Sequence, residues 1–179
     1  MSDLTNLPTC NENGDVHVVV EAPRGSLVKL KFEPLLRTWV FQRALPLGVA
    51  YPYDWGFIPS TTAADGDPLD AMVLSDVATW PGVVIETSPI GAVSMVQRDG
   101  KGEAEIRNDR IILVPRRDRR YEDVRDISKR MREELEQFFV TAIEMTGKSV
   151  KIEGWKSAKA AQRAIRKASG RYERGAGRR

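Results

Sequence analysis

Residues 51–70 read YPYDWGFIPSTTAADGDPLD and end in three carboxylates, those of Asp65, Asp67 and Asp70. An Asp-Gly step favours a tight turn and Pro68 fixes the backbone just after it, so the three are expected to lie close together. Like charges in a small volume cost free energy unless a cation neutralises them, and oxygen ligands suit Mg²⁺ or Mn²⁺ better than zinc. The stretch predicts a divalent-cation site; the alternative is an acidic loop that contacts only solvent.

The chain as a whole has the composition of one globular domain. Its 179 residues are 41% hydrophobic and 30% charged, which is ordinary for a soluble protein with a sizeable core. The longest apolar runs are short and the N-terminus lacks a secretory pattern, so no membrane partner is expected. The single Cys10 agrees with a reducing compartment. We expect one cytoplasmic domain over residues 1–170.

The formal net charge of +3 raises the question of nucleic acid. Much of the excess lies on a predicted C-terminal helix and in residues 171–179, a basic tail that we expect to be mobile. The arginines of residues 116–120 are interrupted by Asp118 and followed by further acidic residues. This pattern is typical of a mixed-charge connection, so nucleic acid is not expected as a partner.

Short apolar stretches broken by glycine and proline run from Val16 to Pro115, a pattern typical of an all-β barrel or sandwich. The second stretch alternates, which puts Lys29 and Lys31 on the face opposite the apolar one. The predicted strands are Val16–Glu21, Val28–Phe32, Thr38–Gln42, Asp70–Leu74, Val83–Thr87, Ile90–Val96 and Arg110–Val114.

The hydrophobic period changes after Asp123. Apolar residues then recur at three- and four-residue steps, so residues 124–146 are predicted to form an amphipathic helix that covers the open side of the barrel. A short strand at Ser149–Glu153 follows, and Ser157 can cap a final helix over residues 158–168. The pattern therefore predicts a mainly β domain with two C-terminal helices.

The segment before the acidic cluster, residues 50–59, is rich in aromatic side chains and bounded by prolines. On its own it is interpreted as a rigid turn packed on the barrel. Together with the carboxylates it resembles the soluble family I inorganic pyrophosphatases, in which a Tyr-Pro-x-x-aromatic-Gly segment precedes the signature D-x-D-P-x-D. The resemblance covers residues 15–168 and includes Glu21, Lys29, Arg43, Pro81-Gly82, the strand that begins at Arg110, Phe138-Phe139 and residues 150–155.

This resemblance implies a fold and an activity. The fold would be of the α+β class, mainly β, with an OB-like five-stranded closed barrel and two flanking C-terminal helices. The activity would be hydrolysis of inorganic diphosphate to two phosphates, with Mg²⁺ as cofactor and Mn²⁺ as a substitute. Bacterial members of the family are commonly hexamers, so a homo-oligomer that binds inorganic pyrophosphate is expected.

The resemblance and the chemistry of the residue types together suggest individual roles. Asp67 would be the general base, a role that typically contributes about 10²- to 10⁴-fold. The metal ligands would be Asp65 and Asp70, with Asn108 and Asp109 at or beside a further metal position. The residues expected to bind substrate, the cations among them through charge-assisted hydrogen bonds, are Glu21, Lys29, Arg43, Tyr51 and Arg110.

Several metal-binding positions depart from the family pattern. Lys31 stands where the family has a glutamate, and Gln97 and Asn108 stand where it has aspartates. Asp99 and Asp109 lie close enough in sequence to restore one carboxylate. Fewer bound metals are the direct expectation, and Lys31 could supply the positive charge that a metal would have brought.

Phosphate-binding positions also depart from the pattern. Trp55 replaces a tyrosine, while Ala142 and Ile143 replace a Tyr-Lys pair that the family uses on product phosphate. These changes keep open a second function, that of a catalytically impaired phosphate-binding or regulatory protein. A nucleic-acid-binding OB-fold is a third, although the carboxylates would repel a phosphodiester backbone. A calcium loop is excluded, since an EF-hand needs glycine and glutamate where this chain has Asp70 and Asp76.

Overall fold

The computed structural model describes residues 3–99 and 105–176. Its strands are β1 (Val16–Ala22), β2 (Val28–Glu33), β3 (Thr38–Ala44), β4 (Asp54–Ile58), β5 (Leu69–Val73), β6 (Val84–Asp99), β7 (Ile106–Arg107), β8 (Arg110–Pro115) and β9 (Lys148–Ser157). Its α-helices are α1 (Lys129–Glu144) and α2 (Ala158–Ala176), and 3₁₀ turns lie at Leu4–Asn6 and Val124–Asp126. No helix within the described ranges has the length and apolar character needed to cross a membrane.

Five strands close a ring through backbone hydrogen bonds. β1 pairs with β4, β4 with β5, β5 with β8, β8 with β6, and β6 returns to β1. All these pairs are antiparallel except β5 with β8, which is parallel. β2 and β3 form a separate two-stranded sheet, while β7 and β9 pair with β6. The OB-like, mainly β fold with two C-terminal helices is confirmed.

The ring strands β4, β5 and β8 are buried on both faces, and the two faces of β5 pack with different helices. Neighbouring residues of a strand point to opposite sides of the sheet. In β5, Met72 belongs to the hydrophobic cluster that includes Phe139 of α1, whereas Ala71 belongs to the cluster that includes Ile165 of α2. The helices therefore hold the ring from two sides, and α1 packs on it with the apolar stripe that its sequence predicts.

The aromatic segment contains a strand, so the prediction of a rigid turn was wrong for Asp54–Ile58. All five residues of β4 are buried. A strand buried on both faces shows no alternation between apolar and polar residues, and this removed the signal on which the other strands were predicted. Gly56 allows the backbone of β1 to approach, because a Cβ there would lie 1.8 Å from the Val19 carbonyl oxygen.

The bounds of several other strands and helices differ from the predicted ones, each for a local reason. The two strands predicted before and after Pro89 are one strand, β6, which is bulged between Pro89 and Gly91. The first helix begins only after Ser128, whose hydroxyl caps it by accepting the Met131 N–H at 3.2 Å. The last helix extends beyond residue 168 to Ala176. Residues 177–179 lie outside the described part, and the mobility of the tail stays a prediction.

The close contact between β1 and β4 gives a stability prediction. Gly56→Ala should lower the free energy of unfolding by about 3 kcal/mol or more, because neither backbone can retreat within the ring. Gly170→Ala is the matched control, since its Cβ would meet only the Arg174 side chain at 3.6 Å. Urea unfolding of both variants checks this, and a Gly56→Ala variant as stable as the unmodified chain would contradict the pairing.

Candidate active site

A cleft of about 400 Å³ opens beside the acidic loop at the end of the ring. Its walls come from the loop before β5, the β2–β3 sheet, the start of β8 and the end of α1. The lining residues are Lys29, Gln42, Arg43, Asp65, Asp67, Asp70, Gln97, Ile106, Asn108, Arg110, Ile143, Thr146 and Lys148. A smaller pocket of about 210 Å³ shares Lys29, Gln42, Asp67 and Asp70 with the cleft and adds Glu21 and Lys31. The two spaces therefore adjoin at these four shared residues.

The three aspartates line the cleft together, held by a tight turn. Gly66 has a φ of +91°, a conformation that favours glycine, and the Asp67 N–H donates to Asp65 Oδ1 at 3.2 Å. The Leu69 N–H donates to the Thr61 hydroxyl at 2.9 Å, which anchors the end of the loop. Burial raises the pKa of the Asp65 carboxyl, and the charges of the other two aspartates raise it further. The cluster is therefore electrostatically crowded.

Arg110 forms an ion pair with Asp70 across two neighbouring strands. The parallel register places Ala71 opposite Ile111, so the residues before them, Asp70 and Arg110, are also neighbours. One guanidinium nitrogen, Nη1, donates both to Asp70 Oδ2 and to Asn108 Oδ1. The Arg110 side chain is only 8% exposed, against 26% for Asp70. The pairing of two strands that are distant in sequence thus places the buried Arg110 guanidinium against Asp70, an expected metal ligand.

The surroundings of Arg110 leave part of its guanidinium without a partner. Its central carbon lies 5.3 Å from the centre of the Trp55 ring, a cation–π distance. Its Nε is buried and has no hydrogen-bond partner within the described structure, and the same holds for the indole nitrogen of Trp55. Each side chain of this cation–π pair therefore has one buried donor without a hydrogen-bond partner in the described structure.

The β2–β3 sheet contributes three further cations. Lys29 and Arg43 are cross-strand partners, and both line the cleft. Burial lowers the pKa of the Lys29 ammonium. Lys31 lies in the adjoining pocket, where its Nζ is 3.2 Å from Asp67 Oδ1. The predicted shared face of Lys29 and Lys31 therefore turns toward the acidic loop.

The end of α1 and the start of β9 form the opposite wall. Arg43 Nη2 donates to the Ala142 carbonyl at 2.8 Å, which ties the sheet to the last turn of α1. Ile143, Thr146 and Lys148 line the cleft just beyond. Sequence reasoning did not single out Lys148, although its position directly after the helix-ending glycine placed it near Ile143. The cleft therefore has a cation on this wall despite the apolar side chain at Ile143.

Glu21 and Tyr51 lie at the margin of the site. Glu21 is 7% exposed and accepts the Phe32 N–H at 3.0 Å. Burial raises the pKa of the Glu21 carboxyl to about 7. Tyr51 packs against Trp55 and Phe138 and does not line the cleft. Burial raises the pKa of the Tyr51 hydroxyl, and the charges of nearby cleft residues also act on it. Glu21 and Tyr51 therefore lie in the core close to the cations of the cleft, since the charge of Lys29 acts on Glu21 and that of Arg43 acts on Tyr51.

Asp109 points away from the cleft, unlike its neighbour Asn108. Its carboxylate accepts from Arg107 Nε at 3.2 Å and from Lys156 Nζ at 3.1 Å. Asn108 lines the cleft beside Arg110. The side chain of Asp99 and residues 100–104 lie outside the described part of the structure. Of the residues expected at this metal position whose side chains are described, Asn108 and Gln97 line the cleft and Asp109 does not.

The donor chemistry of the cleft fits a hard divalent cation, but two of its three aspartates are already in ion pairs with cations of the protein. Carboxylate and amide oxygens are the ligands that Mg²⁺ prefers. Across residues 3–99 and 105–176, no three carboxylate, imidazole or thiolate groups converge into a ready metal cluster. Asp70 is paired with Arg110 and Asp67 with Lys31. A metal on Asp70 would therefore share that carboxylate with the Arg110 guanidinium, which already donates to Oδ2.

Comparisons with known proteins identify relatives over almost the whole chain. The family model of inorganic pyrophosphatase matches residues 18–173. An inorganic pyrophosphatase of Thermus thermophilus is 38% identical over 177 residues, which cover 97% of this chain and 99% of the relative. One from Synechocystis is 39% identical over 157 residues, which cover 86% of this chain and 89% of the relative.

Solved structures agree with the sequence relatives. The crystal structure of the Thermus thermophilus inorganic pyrophosphatase has a TM-score of 0.87 at 37% identity and covers 96% of this chain and 99% of its own. The inorganic pyrophosphatase of Helicobacter pylori has a TM-score of 0.83 at 27% identity, with 93% and 98% covered. These matches include the acidic loop, the ring and both helices, and the chain therefore belongs to the inorganic pyrophosphatase family.

Proposed function

We propose that this protein hydrolyses inorganic diphosphate to two phosphates in a Mg²⁺-dependent reaction, for which Mn²⁺ is a substitute. The observation that carries the proposal is one cleft in which three aspartates face Lys29, Arg43 and Arg110, in a chain of this family. The relatives give no support to the alternative of a catalytically impaired phosphate-binding or regulatory protein. We propose further that the protein is a cytoplasmic homo-oligomer, with a hexamer as the form that the resemblance implies.

Lys29, Arg43 and Arg110 form a cationic wall of the cleft, and this wall would bind the substrate. Diphosphate is strongly anionic, so an attacking hydroxide is repelled unless fixed positive charges reduce the charge on the phosphoryl oxygens. Lys29 and Arg43 stand side by side and would each donate charge-assisted hydrogen bonds. Arg110 lines the same cleft, and its guanidinium would donate to a further phosphoryl oxygen. Lys148 would contact the second phosphoryl group from the opposite wall.

The acidic loop would hold the metal and the proton acceptor. Asp65 and Asp70 are the proposed metal ligands, with the Asn108 amide oxygen beside them. A bound divalent cation would supply charge neutralisation and a lower pKa of the attacking water. Asp67 is the proposed general base, because its carboxylate faces the cleft and is 63% exposed to water there. Lys31, at 3.2 Å, orients that carboxylate without burying it.

The role of Asp67 predicts a large loss of turnover. Asp67→Asn keeps the size of the side chain but removes the proton acceptor, so the kcat for phosphate release should fall by about 10²- to 10⁴-fold. The control is Asp76→Asn, which removes a similarly exposed carboxylate outside the cleft and should keep the full rate. Phosphate release is measured with and without Mg²⁺. An unmodified protein without Mg²⁺-dependent release would overturn the proposed function.

The buried Glu21 predicts a pH-dependent stability. Its pKa is about 7 in the folded protein against 4.5 for the ordinary carboxyl, so the folded state binds the proton more tightly than the unfolded state. This stabilisation is complete below pH 4.5 and is lost as the pH rises through 7, on the order of 3 kcal/mol in all. Urea unfolding at pH 5 and pH 8 should show a larger loss for the unmodified chain than for Glu21→Gln. Equal losses would contradict the raised pKa.

A further inference from the structure

Two carboxylates of the cleft already hold cations of the protein, and the two pairs differ in burial. The Lys31–Asp67 pair is open to solvent, with side chains 43% and 63% exposed, so its net attraction is small. In the Arg110–Asp70 pair the side chains are 8% and 26% exposed, and water screens the charges far less. Of the two pairs, the buried one therefore opposes the binding of an external cation more strongly.

Arg110 has the features of a group that exchanges partners. Its Nη1 is shared between Asp70 and Asn108, while its buried Nε has no partner in the described structure. A buried donor without a partner costs free energy. Arg110 also lines the cleft, so an anion bound there would offer its guanidinium another acceptor. The Arg110 guanidinium could thus pair either with Asp70, as in this structure, or with an anion bound in the cleft.

A divalent cation and Arg110 compete for the same carboxylate. A metal on Asp70 would stand beside the guanidinium, and two cations at that distance repel each other in a poorly solvated wall. The repulsion is relieved when Arg110 turns to a bound anion. Asn108 strengthens the competition, because its oxygen accepts from Arg110 and adds no negative charge that would favour the metal.

We propose that Arg110 is a positioning residue that couples metal binding to anion binding, by holding Asp70 until a phosphate-like anion takes the guanidinium. The proposal deepens the proposed function and rests on it. Metal and anion then bind with positive cooperativity, and linkage requires the effect to be reciprocal. Without an anion the affinity for a divalent cation is lower than with one, since Arg110 then shares Asp70 with the metal.

The test compares Mn²⁺ binding by titration calorimetry in the absence of phosphate. Arg110→Gln should bind Mn²⁺ about tenfold more tightly than the unmodified protein, because Asp70 loses a charge-assisted partner. Arg43→Gln is the matched control: it removes one positive charge from the same cleft, but its guanidinium donates to the Ala142 carbonyl. Its Mn²⁺ affinity should change by less than about threefold. Equal changes in the two variants would overturn the proposal.

A second measurement uses the unmodified protein and does not depend on how a variant folds. Sulfate serves as a phosphate-like probe, with the association of Mn²⁺ and sulfate measured without protein and subtracted. Sulfate should tighten Mn²⁺ binding by about tenfold, within the usual range of coupling between sites. An Mn²⁺ affinity independent of sulfate would overturn the coupling. Phosphate release from diphosphate is followed on the same preparation, so that a failure of the coupling is distinguished from a failure of the proposed function.

Discussion

The parallel pairing of β5 with β8 is the constraint on which the site depends. Its register sets Asp70 beside Arg110 at the mouth of the ring. Because both strands are buried on two faces by α1 and α2, neither can slide to separate the pair. The other charged groups are arranged around this contact: the acidic loop leads into β5, and the β2–β3 sheet faces it with Lys29 and Arg43.

The site combines strong electrostatic crowding with a way to relieve it. Burial and neighbouring aspartates raise the pKa of Asp65, while burial lowers the pKa of Lys29. Both shifts disfavour the charged forms, as expected where like charges are collected before the substrate arrives. A bound diphosphate would neutralise the cations of the cleft, and a divalent cation would neutralise its aspartates. The Arg110–Asp70 contact is the arrangement that holds in the absence of those ligands.

Local patterns predicted the fold and the location of the site, and non-local contacts limited the prediction. The acidic turn with Gly66 and the alternation around Lys29 depend on residues adjacent in sequence, and the structure places both at the cleft. β4 was not predicted as a strand, because a strand buried on both faces has no alternation of apolar and polar residues. The side chain of Asp109 turns to Lys156 of β9, a contact that only the folded sheet creates. Likewise, no sequence pattern indicated that Arg110 would pair with Asp70.

The central claim is that Arg110 and a divalent cation exchange places on Asp70. Crystal structures of the protein alone and with Mg²⁺ plus imidodiphosphate, a non-hydrolysable diphosphate, test it most directly. Arg110 should contact Asp70 in the first structure. In the second it should contact a phosphoryl oxygen, while the cation contacts Asp65 and Asp70. An Arg110 that stays on Asp70 with the diphosphate bound, and no cation on that carboxylate, would contradict the account.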